Sequence, residues 1–410
     1  MSKANFNIGI TFDSITSLEN IRGAYFDLVR KFDEGSKSAR YKGIDGQNVF
    51  NLDFASEEVF LDIQREMVSF TEIAPAYMAT IPKKDGKKRK VYVYSIRERI
   101  KAEAIYRVLE PIFDSYLSDF LFSYRSSHPS YYAARSVVRR YKRHFGHNHV
   151  LVTDIRDYSD TIDHDILLKK LGALGIDANT LKLLQLFIQT KTIEAGKLIT
   201  RPSGVLTGTP LYALLSNFYM DNFDKWAGKY VAFYRRVGDD MIAMDKDATK
   251  IRVVYERLNV TVKELKLRTN ENKVSLIRDI EPFKFLGYQF KDGRVGFDNS
   301  SMQKACSKWI GDMRRHKGKS LDSKVRHLQR LNSRKTGSPN HEFSMLLEQK
   351  VLVDDTSHIQ QFSDSLTGSL ASYLFGYNTP NKRRVAQDIL KKAKIRTLAS
   401  HYSSLRSRKK

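Results

Sequence analysis

The chain has 410 residues and a formal net charge of +24, from 70 Lys and Arg against 46 Asp and Glu. Such a length supports two or three packed subdomains, and no stretch reaches the roughly 18 uncharged apolar residues of a membrane span. A single cysteine, Cys306, excludes an internal disulfide framework, and the opening residues lack a basic-then-apolar leader, so the expected compartment is the cytoplasm.

Apolar periodicity predicts amphipathic helices over 14–35 and 56–70, separated by a turn-rich stretch at 41–46. Strands are expected over 77–82 and 90–94, joined by the basic turn 83–89. Helical periodicity returns over 97–110 and 131–143. Residues 149–155 read as a strand with Asp154 near its C-terminal end. Helices follow over 163–174 and 178–190, then another over 211–228 after the loop 204–210. Two apolar runs, 231–237 and 241–244, flank Gly238-Asp239-Asp240 and read as a hairpin. A helix over 246–265 precedes the segment 270–273 and a strand pair around 285–295. Beyond about residue 300 the chain reads as helical, broken near 334–340 and 377–381. The pattern is α+β, with three subdomains.

The basic excess is concentrated. Residues 301–410 hold 23 Lys and Arg against 8 acids. A surplus of that kind attracts a polyanion, and phosphate backbones are the commonest one. The aromatic residues of this region (Trp309, Tyr373, Phe375, Tyr377, Tyr402) could stack on bases, but packing in a helical core is the preferred reading.

Asp154, Asp239 and Asp240 are the candidate catalytic residues. Extending a nucleic-acid chain by phosphoryl transfer asks for two divalent ions, held by carboxylates on stiff elements, that activate the attacking oxygen and stabilise the leaving pyrophosphate. A strand ending in Asp154 beside a hairpin that turns at Asp239-Asp240 would bring three carboxylates together, because neighbouring strands lie only about 5 Å apart. Each element alone also reads as a turn or a helix cap. Their combination is what points to catalysis.

In segment order, residues 14–300 resemble the polymerase core of prokaryotic reverse transcriptases related to group II intron enzymes. Gly43-Ile44-Asp45-Gly46 looks like a turn upstream of that core, and residues 81–89, with Lys83 and Arg89, resemble the fingers hairpin that binds the incoming triphosphate. Residues 97–111 match the helix that follows, and 122–127, with Arg125, match the next block. Asp154-Ile155 with Ile162-Asp163-His164 resembles the first catalytic motif. Residues 204–211 with Asn217 resemble the loop and helix that hold nucleotide and template. Val237-Gly238-Asp239-Asp240 stands at the catalytic hairpin, Lys273 at the lysine near the triphosphate, and Phe285-Leu286-Gly287 at the primer grip.

The resemblance implies a right-hand polymerase fold with an N-terminal helical extension (1–75), fingers (76–150), a palm (151–298, with fingers-type helices at 163–200 inserted) and a basic helical thumb (299–410). It implies RNA-directed DNA polymerase activity with two Mg²⁺ ions, Mn²⁺ being a substitute, held by Asp154, Ile155, Asp239 and Asp240. Lys83, Arg89, Ile155, Asp157, Tyr158, Ser159, Thr207, Gly208 and Lys273 would face the nucleotide; Arg125, Asn217, Phe285, Leu286 and Gly287 would face template and primer. Partners would be dNTPs, a primer with its cDNA, and an RNA template, in particular a partner noncoding RNA. The short outline is most similar to the stand-alone, defence-associated reverse transcriptases of the abortive-infection type, and so to antiviral defence.

Three features depart from the family pattern. Ser159 stands where a bulky aromatic usually meets the ribose 2′-hydroxyl, with Tyr158 before it. Either Tyr158 takes over this gate, the reading preferred here, or sugar discrimination is relaxed. Thr207 replaces a glutamine, with Tyr212 in place of a serine, and Val237 stands beside Gly238 where a tyrosine is usual. The rival readings are an RNA-directed RNA polymerase, which shares Gly-Asp-Asp, and a non-catalytic RNA-binding protein that retains the fold. The spacing from Gly208 to Asn217 speaks against the first, and retention of the acids with Arg89 and Lys273 against the second.

Overall fold

The computed structural model describes residues 12–33, 43–50, 56–82, 88–297, 321–331 and 357–392, with isolated residues between 303 and 320 and residue 353. Among the described residues no helix is long and apolar enough to cross a membrane. The chain divides into two compact units, Met1–Ser130 with Leu151–Leu276, and Tyr131–Val150 with Ile277–Lys410.

The first unit begins with α1 (Phe12–Thr16), α2 (Leu18–Asp33) and α3 (Glu57–Val68). In α2, Ile21, Ala24, Tyr25 and Leu28 are buried, a spacing of three and four that makes one apolar stripe. Ser56 caps α3 by accepting from the Val59 N–H. After β1 (Ala76–Pro82) and β2 (Lys88–Val93) comes α4 (Ile96–Tyr116), capped by Ser95. It outruns the expected helix at 97–110, with Pro111 inside it. Proline removes only one helical hydrogen bond there, and the extra turn buries Phe113. The upstream glycine turn packs on the start of α4, since a side chain at Gly43 would lie 3.0 Å from the Ile96 N.

α5 (Ser130–Arg143) leads into β3 (His149–Asp154), followed by the short α6 (Tyr158–Thr161), α7 (His164–Gly172) and α8 (Ala178–Ile188). Two three-residue strands, β4 (Thr192–Glu194) and β5 (Lys197–Ile199), then interrupt a stretch expected to be helical to residue 200. They are too short for alternation to be read. Their turn, Ala195-Gly196, has φ 49° and 80°, the two left-handed residues of a tight I′-type hairpin. β4 runs parallel to β1, giving a sheet in the order β2-β1-β4-β5.

The expected helix over 211–228 is two helices, α9 (Leu211–Tyr219) and α10 (Asp221–Tyr230), parted at Met220. Both buried acids of α10 take partners outside it. The Asp221 carboxylate accepts from the Ser118 N–H at 2.7 Å, and Asp224 pairs with Arg236 at 2.6 Å. Next come β6 (Phe233–Val237), β7 (Asp240–Asp245), α11 (Ala248–Glu264) and β8 (Ser275–Arg278), and the central sheet has the order β6-β7-β3-β8.

In the second unit, β9 (Phe283–Phe285), β10 (Tyr288–Lys291) and β11 (Arg294–Phe297) make a three-stranded antiparallel sheet where a strand pair was expected. The reason is the pair of positive-φ residues Leu286 and Gly287, which turn the chain in two residues just as Asp292 and Gly293 do. Tyr141 meets Phe283 and Phe290 edge-on, and these two rings stack at 4.6 Å. Buried Asp279 accepts from the Gly146 N–H and from both the backbone and side-chain N–H groups of Asn148. Farther on, α12 (Leu321–Leu331), α13 (Ser357–Phe375) and α14 (Pro380–Lys392) enclose a small core of Met313, Leu328, Leu370, Leu374 and Ala386. Tyr373 and Phe375 pack on that core as expected, while Tyr377 is exposed. Trp309, Tyr402 and the expected break at 334–340 lie outside the described residues.

Arg236 and Asp224 are both 0% exposed. Removing one partner of a buried pair leaves an uncompensated charge, at a cost of about 3–5 kcal/mol. Arg236→Met is therefore expected to lower unfolding stability by that order, and the double variant Arg236→Met with Asp224→Leu by clearly less. Urea denaturation of both variants checks this, and equal losses would mean that the charge is not what matters.

Candidate active site

The first carboxylate is placed by β3 and the other two by the hairpin β6–β7. Their strand ends are tied together where the Ile155 N–H donates to the Asp239 carbonyl at 3.2 Å. The hairpin turns in two residues, because Val237 pairs with Asp240. Gly238 at its first turn position has φ 66°, the glycine-first pattern of a II′-type turn. The backbone explains each residue of Gly-Asp-Asp: glycine makes the turn, Asp239 is exposed at its tip, and Asp240 starts β7.

Asp154 is 4% exposed, and its Oδ1 has no hydrogen-bond partner among the described residues. Its Oδ2 accepts from the Lys273 Nζ. Backbone bonding explains how a lysine so far along the chain arrives there. The Arg156 N–H donates to the Arg268 carbonyl at 2.9 Å and the Asn270 N–H to the Asp154 carbonyl at 3.0 Å. A single 3₁₀ turn, Glu271–Lys273, then brings the ammonium back over the carboxylate. Asp240 is pushed up to about 6 by burial and by its neighbours Asp239 and Asp154, against the opposing pull of Lys273. The hydrogen bond to Asp154 in turn raises the Lys273 ammonium.

These features suit a divalent cation. An orphaned, buried carboxylate oxygen and a carboxyl group whose neighbours disfavour its charge would both be relieved by one. Among the described residues no three His, Cys, Asp or Glu side chains enclose an ion by themselves.

Residue 157 decides how the first motif is presented. Asp157 is left-handed, with φ 46° and ψ 41°, and turns the end of β3 straight into α6. Tyr158 is thereby sent into the main core, where its hydroxyl donates to the Ser216 carbonyl at 2.6 Å. The residue expected to act as the gate, Tyr158, is thus found at a helix start with its ring in the core. Ser159 is partly exposed instead, and the Tyr212 hydroxyl faces it from α9.

Other expected residues divide into two groups. Thr207 lies in the loop before α9, with a buried Oγ1 that has no hydrogen-bond partner. Gly208 does permit a close approach, but to protein: a side chain there would lie 2.2 Å from the Tyr92 carbonyl oxygen of β2. Asn217 and Arg125 are buried and engaged internally. The Asn217 Nδ2 donates to the Ser123 carbonyl at 2.6 Å. The Arg125 guanidinium donates to the Asp114 carboxylate and to the carbonyls of Asp114, Ser118 and Leu121. Phe285, Leu286 and Gly287 belong to the second unit, with Leu286 held at φ 46°. Lys83, Lys84 and Lys87 lie outside the described residues, as do the side chains of Lys88 and Arg89.

Sequence reasoning missed the support beneath the turn. The Arg236 NH1 donates to the Gly238 carbonyl at 3.0 Å, and its NH2 donates to the Asn217 carbonyl at 2.9 Å. Ser123 accepts the Gly238 N–H. A signal was available, because an arginine in the buried strand of an otherwise apolar hairpin requires a partner.

The raised Asp240 carboxyl has a consequence for stability. Its folded-state value, about 6, exceeds the ordinary 3.8. Ionising it costs folding free energy above that range, and the cost is withdrawn as pH falls and the folded state takes up a proton first. Metal-free Asp240→Asn protein is expected to melt higher than wild type near about pH 7.5, with the difference shrinking by about pH 5. Thermal melts in chelator at both pH values check it; a difference independent of pH would discount the charge.

Residues 81–290 match the family described as reverse transcriptase (RNA-dependent DNA polymerase). Protein YkfC of Escherichia coli is 26% identical over 303 residues, covering 64% of this chain and 79% of that protein. A putative COX1/OXI3 intron 1 protein of Saccharomyces cerevisiae is 22% identical, over 58% of this chain but only 27% of the yeast protein. Among solved structures, telomerase from Candida albicans with a TWJ fragment of telomeric RNA is 14% identical at a TM-score of 0.44, covering 80% of this chain and 64% of that one. The apo telomerase from Candida tropicalis is 11% identical at a TM-score of 0.47, covering 85% and 68%. The family match extends from β1 to β10 and so takes in all three aspartates, the hairpin and Lys273. The chain belongs to the reverse transcriptase (RNA-dependent DNA polymerase) family.

Proposed function

We propose that this chain copies an RNA template into DNA at Asp154, Asp239 and Asp240. The observation that carries the reading is an orphaned Asp154 Oδ1 together with an Asp240 carboxyl that resists ionisation, at strand ends tied by the bond from the Ile155 N–H to the Asp239 carbonyl. Two divalent ions, Mg²⁺ or in its place Mn²⁺, would supply activation of the primer 3′-oxygen and stabilisation of the leaving pyrophosphate. The protein's part is to hold them with the three carboxylates, with the Ile155 backbone alongside. Lys273, once released from Asp154, is placed to give a proton to the departing pyrophosphate. Thr207 offers an unpartnered hydroxyl to the nucleotide, and the hairpin bearing Lys83 and Arg89 offers positive charge to its triphosphate.

In this reading residues 76–150 act as fingers, 151–298 as palm and the basic 299–410 as thumb, gripping template and primer through their phosphates. The positive charge of the last region supports that role. The template is taken to be a partner noncoding RNA, and the setting bacterial cytoplasm and antiviral defence; the resemblance to stand-alone abortive-infection enzymes supports these assignments.

Primer extension on an RNA template with dNTPs tests the proposal. Wild type should extend only with Mg²⁺ or Mn²⁺, and Asp239→Ala with Asp240→Ala should reduce extension by about 10³-fold or more while RNA affinity changes little. Undiminished extension by the double variant would place the chemistry elsewhere.

A further inference from the structure

Tyr212 stands on the first turn of α9, directly after the loop that carries Thr207 and Gly208. Its hydroxyl faces Ser159, at the start of α6, and Tyr124, and it feels the charge of Asp239. The Tyr124 and Tyr212 rings meet edge-on at 5.9 Å, so the second ring buttresses the first. Tyr124 itself is 63% exposed and held in the left-handed region at φ 52°. A non-glycine residue in that conformation signals a position that its surroundings determine closely. Ser123, next to it, is pinned by the Gly238 N–H and by the Asn217 side chain, which donates to the Ser123 carbonyl. The aromatic pair is therefore fastened to the carboxylate hairpin through one residue.

We propose that Tyr212, backed by Tyr124, forms the wall that fixes the sugar of the incoming nucleotide and excludes a 2′-hydroxyl, with the small Ser159 side chain leaving the volume that its ring occupies. The inference rests on the polymerase reading of this site. Its physical basis is proximity. The sugar is joined to the reacting phosphorus through one bridging oxygen and one carbon, so a phosphorus held at the carboxylates puts the sugar against whatever side chains border them. Through its ring contact with Tyr124, next to the Ser123 that accepts the Gly238 N–H, Tyr212 is linked to the hairpin that carries Asp239; a tyrosine ring is rigid and large, whereas Tyr158 is withdrawn into the core. A wall that excludes one hydroxyl by volume is worth about 10- to 200-fold in discrimination.

The test is single-nucleotide incorporation, comparing kcat/KM for matched dNTP and rNTP pairs. Tyr212→Ala should raise the rNTP to dNTP ratio by about tenfold or more, and Tyr212→Phe, which keeps the ring, should hold the ratio within about threefold of wild type. Moving the ring across the wall, in the variant Tyr212→Ala with Ser159→Phe, should restore discrimination against rNTPs. That rescue cannot come from a residue whose only role is structural. Equal losses for dNTP and rNTP in Tyr212→Ala, without rescue by Ser159→Phe, would overturn the inference and leave the polymerase reading intact. Wild-type protein that incorporates neither nucleotide would instead strike at the polymerase reading itself.

Discussion

The buried Arg236 guanidinium is the constraint on which the candidate site depends. It carries five N–H donors in a planar fork and nothing that can accept. Its Nε and NH2 go to the Asp224 carboxylate, its NH2 also to the Asn217 carbonyl and its NH1 to the Gly238 carbonyl. On the backbone, the Arg236 N–H donates to the Phe120 carbonyl and its own carbonyl accepts from Phe122. One residue thereby ties α9, α10, the segment 118–123 and the hairpin turn into a single body. Buried ion pairs add little net stability, since desolvation offsets most of the attraction. The value of this one is positional: each donor has one place to go, so the hairpin tip has one place to sit.

Above that turn the charges run the other way. Lys273 is the counter-charge of Asp154, and burial first, then the charges of Asp239 and Asp154, push the Asp240 carboxyl up. Such a cluster opposes folding and has to be held by surrounding structure. The surroundings supply it through backbone bonds: the Asp154 carbonyl accepts from the Asn270 N–H, and the Ile155 N–H is fixed on the Asp239 carbonyl. Tyr234 adds a further clamp below, its hydroxyl donating to Asp224 at 2.8 Å. Repulsion at the tip and over-determination at the base belong to one design, in which the fold fixes acids that repel one another.

Much of this was legible in the sequence, where local chemistry dictates it. Asp154 at a strand end, the Gly238-Asp239-Asp240 turn and the helices after Asp163, Asp177 and Asp247 follow from alternation, turn residues and capping. Lys273 was legible only by resemblance, because the Asn270–Asp154 bond that delivers it is long-range. The split between α9 and α10 was not legible: its cause is the tertiary demand of Ser118 and Arg236 on two acids, and periodicity cannot register a partner elsewhere in the chain. The β4–β5 hairpin escaped because three residues are too few for alternation to emerge. The internal bonds of Arg125 and Asn217 were not legible for a related reason, since polar residues in a motif look the same whether they face a ligand or bind backbone carbonyls.

Two departures from the family pattern show how far such long-range terms reach. In the sequence, Ser159 and Tyr212 are separate oddities in separate motifs. Their relation is set by one backbone angle. With Asp157 left-handed, α6 begins at Tyr158 and its ring turns inward. That leaves Ser159 as the side chain facing α9, and it is small where α9 brings a large ring. The Val205 N–H donates to the Ser159 carbonyl at 2.8 Å, and a side chain at Gly204 would lie 3.2 Å from the Asp160 carbonyl oxygen, so the loop leading to α9 packs directly on α6. With the backbones fixed at this separation, the volume between them can be filled from either side but not from both. A large residue at 159 requires a small one at 212, and a large one at 212 requires the reverse. Ser159 and Tyr212 are thus one packing unit, written at two positions that only the fold brings together.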